Sequence, residues 1–171
     1  IVDESNEAHA LIPSIENGGA DIDLEWKDVD APENLGEWIY GESGIGYERS
    51  GSNYRSLINL DVEEMAGYNP SVFIRIPFIV DDTTDPQLIN ELRLLMRYDD
   101  GFIAYLNGIE VARSYNLPEP GTFVPFDFGT YYDHEASLYN GGFPESIIID
   151  SLSLDSMLID GPNIFAVQLH N

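Results

Sequence analysis

The chain has no cysteine, a single lysine and no long apolar run. The missing cysteine excludes disulfides, thiolate nucleophiles and cysteine-ligated zinc. The three histidines, His9, His134 and His170, show no ligand spacing. A zinc centre needs at least three converging ligands, so they do not suggest one. Lys27 and six arginines make seven bases against 31 acids, a net charge of −24. A surface of that sign repels nucleic acid and anionic membranes, and both are excluded as partners. No stretch reads as a membrane-inserting segment or a signal peptide, so the chain reads as a processed or excised piece.

At 171 residues and 43% hydrophobic content, a single domain with a two-layer core is expected. Residues 1–10 are polar and acidic and read as a tail or linker; residues 11–171 read as the domain. High salt would screen the self-repulsion of so acidic a surface, over a Debye length of roughly 8 Å or less. Calcium would relieve it too, because hard cations take carboxylate and carbonyl oxygens.

Strand patterning is densest between Leu92 and Arg113. Leu92, Leu94, Met96 and Tyr98 alternate with Arg93, Leu95 and Arg97, the period of a half-buried strand. Asp99-Asp100-Gly101 supplies a turn, Phe102–Leu106 a second strand, Asn107-Gly108 a type I′ hairpin and Ile109–Arg113 a third strand. The expectation is a three-stranded meander.

Elsewhere, Val72, Ile74, Ile76, Phe78 and Val80 put a strand over 71–80, with Pro77 marking an edge or bulge. The alternation of Ile22, Leu24 and Trp26 with Asp21, Asp23 and Glu25 predicts another. Short strands are expected at 11–15, around Trp38-Ile39-Tyr40, at 146–149 and at 163–170. Helical turns are expected only near 56–66 and 150–159. Many short strands with so little helix argue an all-β antiparallel sandwich.

Two stretches carry candidate chemistry. Asp99 and Asp100 either make the turn alone or hold calcium at a sandwich tip. Asp21 and Asp23, with Asp28 or Asp30 from the following loop, are the second candidate calcium set, because neighbouring carboxylates still need loop oxygens to reach six to eight ligands. The aromatic-rich stretch 114–144 is too broken for one strand and too aromatic for a plain solvated loop. A sugar presents apolar C–H faces and hydroxyl edges, which suits exposed flat rings beside short polar groups. Tyr115, Asn116, Tyr131, Tyr132, Asp133 and Tyr139 are the ligand-binding candidates; the bland alternative packs the rings as a satellite core. The phenylalanines lean toward the core more than the tyrosines. His134-Glu135 reads as a hydrogen-bonded structural pair. Gly41-Glu42-Ser43-Gly44 fails as a nucleophile elbow, because Ile45 stands where the second glycine belongs.

The run YDDG–FIAYLNG–EVAR (98–113) resembles the galactose-binding-domain-like β-sandwich modules of large secreted and surface bacterial proteins. Leu11-Ile12-Pro13, Trp26-Lys27, Gly44–Tyr47, Phe73-Ile74-Arg75, His134-Glu135-Ala136 and Asn163–Asn171 match in register. The resemblance implies a jelly-roll sandwich and an extracellular or cell-surface location, and nothing in it implies a catalyst. Function then divides three ways. One is a non-catalytic, monomeric accessory module binding polysaccharide, with calcium as a structural cofactor. The second is a spacer or adhesion module with protein contacts. The third is a glycan-active enzyme, which needs a cleft with two carboxylates roughly 5–10 Å apart.

Overall fold

A computed structural model describes residues 1–20, 24–31, 37–51, 54–81, 91–136, 142–149 and 157–171. Ten strands are present among these: β1 (Glu7–Leu11), β2 (Ile39–Glu42), β3 (Ile45–Gly46), β4 (Leu60–Asp61), β5 (Ser71–Val80), β6 (Leu92–Met96), β7 (Gly101–Leu106), β8 (Ile109–Arg113), β9 (Glu145–Ile149) and β10 (Gly161–His170). Six form one sheet in the order β2-β1-β5-β10-β7-β8, antiparallel throughout. The centre is the long pairing of β5 with β10, from Val80 opposite Gly161 to Ser71 opposite His170.

Alternation along each strand delivers side chains to two faces, and both are covered. On the first face, Ala8, Ala10, Val72, Ile74, Phe102, Ala104 and Val167 pack with Leu60, Val62, Met65 and Tyr98, and with the partly buried Leu94, Met96 and Ile147. These last residues belong to a second layer, made of the antiparallel pair β6-β9 and the short parallel pair β3-β4. The second face buries Leu11, Phe73, Ile103, Tyr105, Ile164 and Ala166 beneath Trp26, Leu117 and Val124, which come from loops. Cover on both sides explains why β7 is buried at every position. The molecule is an all-β sandwich.

The expected meander is corrected. β7 and β8 form the hairpin, with Asn107 at φ 47° and Gly108 at φ 84° as a type I′ turn requires. β6 does not pair with β7. It pairs with β9, Leu92 opposite Ile149 through Met96 opposite Glu145. The aspartate turn is a corner between layers, and it contains a cis Asp99–Asp100 peptide bond. A period-two pattern gives a strand its faces but not its neighbour.

The expected tail is also corrected, because β1 lies between β2 and β5 with Ala8 and Ala10 fully enclosed. Alanines fit under the second layer yet contribute little to a hydropathy pattern. Leu24–Lys27 is a 3-10 turn rather than the end of a strand. Trp26 is buried there by stacking on Phe73 at 4.6 Å and meeting Tyr105 edge-on at 6.1 Å. Arg75 holds this turn by donating to the carbonyls of Trp26 and Asp28. Pro77 lies beyond the pairing of β1 with β5, which covers Phe73–Arg75, so its missing N–H falls where β5 is locally an edge. Within 56–66 the chain makes strand β4 and a 3-10 turn at Glu63–Met65, after another at Arg55–Leu57.

Candidate functional site

The corner between the layers and the aromatic stretch meet at one end of the sandwich. Arg113, at the end of β8, forms a two-point ion pair with Glu110 at 2.8 and 2.9 Å. It also donates to the carbonyls of Pro118 and Thr122, so the loop that follows is pinned to the sheet. Leu117 and Val124 can then reach the core.

Asn116 is the peg of this assembly. Its side-chain amide donates to the carbonyl of Asp100 at 3.1 Å and of Tyr132 at 2.7 Å, and its backbone carbonyl accepts from the Tyr131 N–H at 2.9 Å. One residue thus ties the corner, the start of the aromatic stretch and its middle. It is fully buried, and its Oδ1 has no hydrogen-bond partner among the described residues. A Cβ at Gly101 would stand 3.1 Å from that oxygen and 2.8 Å from the Thr130 methyl, so only glycine fits the corner.

Around the peg the rings stay in solvent. Tyr115 is 71% exposed, Tyr131 57% and Tyr132 66%. Tyr131 lies edge-on to Phe128 at 5.5 Å and 6.5 Å from Tyr132, while Tyr115 meets the His134 ring edge-on at 6.4 Å. Phe126 and Phe128 are half-buried against the core, but Phe123 and Phe143 are exposed, so the expected division between phenylalanines and tyrosines holds only in part.

The His134 ring stacks on Tyr98 at 4.1 Å and sits between two acceptors: the Tyr98 carbonyl at 3.1 Å from Nδ1 and Glu145 Oε1 at 2.7 Å from Nε2. Both contacts act as hydrogen bonds together when both ring nitrogens carry protons. The partner is Glu145 and not the adjacent Glu135, which corrects the expected pair. Local spacing could not have shown it, because Glu145 reaches the site from β9. Tyr98 also donates to Glu145 at 3.2 Å; burial first, then Glu145, pushes its hydroxyl well above the ordinary range. The His134 N–H donates to Asp100 Oδ1 at 2.7 Å.

Asp99 remains at the surface, and its carboxyl is pushed up to about 6, first by partial burial, then by the charges of Asp100 and Glu135. The native state therefore holds its proton more tightly than the unfolded chain between pH 3.8 and about 6, and stability falls as the pH rises through that window. Asp99→Asn is expected to be slightly more stable than the parent at pH 7, with the difference vanishing below about pH 4. Thermal melts across pH 4–7 check this; a constant difference would acquit the charge.

Of the other expected site residues, Asp133 is exposed beside Tyr132. Asp28 stands apart from the corner, its carboxylate so close to Gly108 that a Cβ there has no room. Asp21, Asp23 and Tyr139 lie outside the described residues. Among the described residues, no three of His, Asp and Glu gather as metal ligands.

No protein-family model and no curated protein matches the chain. Solved structures do. A β-glucuronidase from Ruminococcus gnavus in complex with D-glucuronic acid aligns with a TM-score of 0.50 at 11% identity, over 98% of this chain and 21% of that one. The apo form of a β-glucuronidase from the same organism gives the same values. A β-glucuronidase from an uncultured Clostridium aligns at 0.49 and 15% identity, over 100% of this chain and 23% of that one. At such identities the likeness is one of fold, and the chain spans about a fifth of the length of the R. gnavus enzyme.

Proposed function

We propose that this chain is a non-catalytic accessory module of the galactose-binding-domain-like type, monomeric within an exported multidomain bacterial protein. It binds polysaccharide through Tyr115, Tyr131 and Tyr132, with Asp133 at the rim. The observation that carries this reading is the set of three exposed rings gathered round the buried amide of Asn116. Exposed rings held by a rigid support lose little freedom when a sugar face covers them. Asn116 supports the platform from beneath rather than touching the glycan. The glucuronidases are carbohydrate-active proteins in which a unit of this size is a small part, which supports an accessory role.

Calcium belongs to the same proposal as a structural ion. Asp99, Asp100 and Asp28 do not gather into a cation cage among the described residues, and Asp21 and Asp23 lie outside them.

Affinity gel electrophoresis against soluble polysaccharides, with calcium and then with chelator, tests the proposal. Retardation by at least one polysaccharide is expected. The double change Tyr131→Ala/Tyr132→Ala should weaken it about tenfold or more, since exposed aromatic anchors carry much of such an interface. Loss of retardation with chelator would support the ion; unchanged retardation would remove it. No retardation by any polysaccharide, with the fold intact, would favour the spacer or adhesion role. Leu95 and Ile148, exposed on β6 and β9, would then offer an apolar contact.

A further inference from the structure

The charge around the tyrosines is of one sign. Asp133 follows Tyr132, Glu135 lies two residues further on, and Asp127 precedes Phe128, against which Tyr131 packs; all three carboxylates are exposed. Asp99 adds another exposed carboxylate at the corner.

Among the described residues, the lysine and every arginine already have a contact of their own. Arg113 is closed off by Glu110 and two carbonyls, with 3% of its side chain exposed. Arg75 holds the Trp26 turn, and Lys27 lies over the Tyr105 ring, 4.3 Å from its centroid. Arg49 and Arg55 pair with Glu63, Arg93 pairs with Glu91, and Arg97 reaches Glu4. His134 faces Glu145. A sugar carboxylate or sulfate is ordinarily received by a free guanidinium or ammonium, and of the bases only Arg97, exposed two residues before Asp99 and 4.0 Å from Glu4, stands near the corner in sequence without a closer partner among the described residues.

Resting on the platform reading above, we propose that the site is selective for glycans without anionic groups, sugars with free amines above all, and rejects uronic-acid and sulfated polymers. The aromatic faces accept any sugar with an apolar face; the ring of carboxylates decides which charge can approach. An ammonium group gains from each carboxylate it nears, and a uronate is repelled by the same groups. The raised proton affinity of Asp99, caused in part by Asp100 and Glu135, is the same crowding of negative charge seen from within.

Three β-1,4-linked oligomers matched in length test this by calorimetric titration at about pH 5.5, where the sugar amines carry protons: one of glucosamine, one of glucose and one of glucuronic acid. At low salt the glucosamine oligomer is expected to bind on the order of tenfold tighter than the glucose oligomer, and the glucuronate oligomer not at all. In about 1 M salt, where the Debye length is about 3 Å, the glucosamine and glucose oligomers should converge. Asp133→Asn with Glu135→Gln should narrow the low-salt gap several-fold, with circular dichroism confirming the fold. Glucuronate binding equal to that of glucose, or equal binding of glucosamine and glucose at low salt, would overturn the charge selection and leave the platform standing. No binding by any oligomer would overturn the platform and the selectivity with it.

Discussion

Asn163→Ala is expected to lower the unfolding free energy by about 3 kcal/mol, and Asn163→Asp by roughly 4 kcal/mol or more. Asn163 is 1% exposed near the start of β10, and its amide is fully used. Nδ2 donates to the carbonyls of Ile159 at 2.7 Å and Gly161 at 2.9 Å. Oδ1 accepts from the Ile159 N–H at 3.0 Å and from Asn107 Nδ2 at 2.7 Å. Asn107 in turn donates to the Met157 carbonyl and accepts from the Ile164 N–H. The two amides therefore fasten the β7-β8 hairpin to the segment entering the central strand.

Removing the Asn163 side chain leaves several of these groups unpaired at once, and a buried group without its partner costs more than the bond was worth. Aspartate has the same shape but turns a donor into a second acceptor. It sets an oxygen against two carbonyl oxygens and buries a charge. Urea denaturation of the two variants and the parent checks the order. If aspartate were tolerated as well as alanine, the network would not be the source of the stability.

Between pH 6.5 and about 4, His170 is expected to remove roughly 3 kcal/mol of stability as the pH falls. His170 ends the central strand and is 1% exposed. Burial first, and the nearby charge of Arg113 as well, lower its pKa from 6.5 to about 4, although the hydrogen bond to Phe128 opposes the shift. Nδ1 donates to the Phe128 carbonyl at 2.7 Å, while Nε2 is buried without a partner among the described residues. The unfolded chain takes up the proton near pH 6.5 and the native state only near 4. The unfolded state therefore binds more protons in that window, and stability is lost progressively as the pH drops through it.

His170→Asn keeps a donor where Nδ1 stands and takes up no proton, so its melting temperature should be much flatter over the same range. Asp99 acts with the opposite sign in part of this window, and the comparison is cleanest in the Asp99→Asn background. An equally steep loss in His170→Asn would assign the acid sensitivity elsewhere. The backbone carbonyl held by His170 belongs to Phe128, the residue whose ring supports Tyr131, so glycan binding should weaken together with stability.

The features legible in the order of the residues are those that short-range physics controls. The strand over 71–80, the Asn107-Gly108 hairpin, the closing strand and the sandwich class follow from alternation and turn chemistry within a few residues. The tyrosines of 114–144 were legible as candidates, but the choice between solvent and a satellite core was not, and the fold made it. The absence of cysteine and the negative charge needed no folding at all. Only the tertiary structure decided which strand lies beside β6, because two apolar faces close a core wherever the layers meet and sequence proximity has no part in it. It also turned Asn116 from a candidate ligand contact into a buried peg, gave His134 its carboxylate from β9 and placed Trp26 on a turn rather than a strand. A buried polar group takes whichever partner the fold brings within about 3 Å, and that partner can come from any distance along the chain.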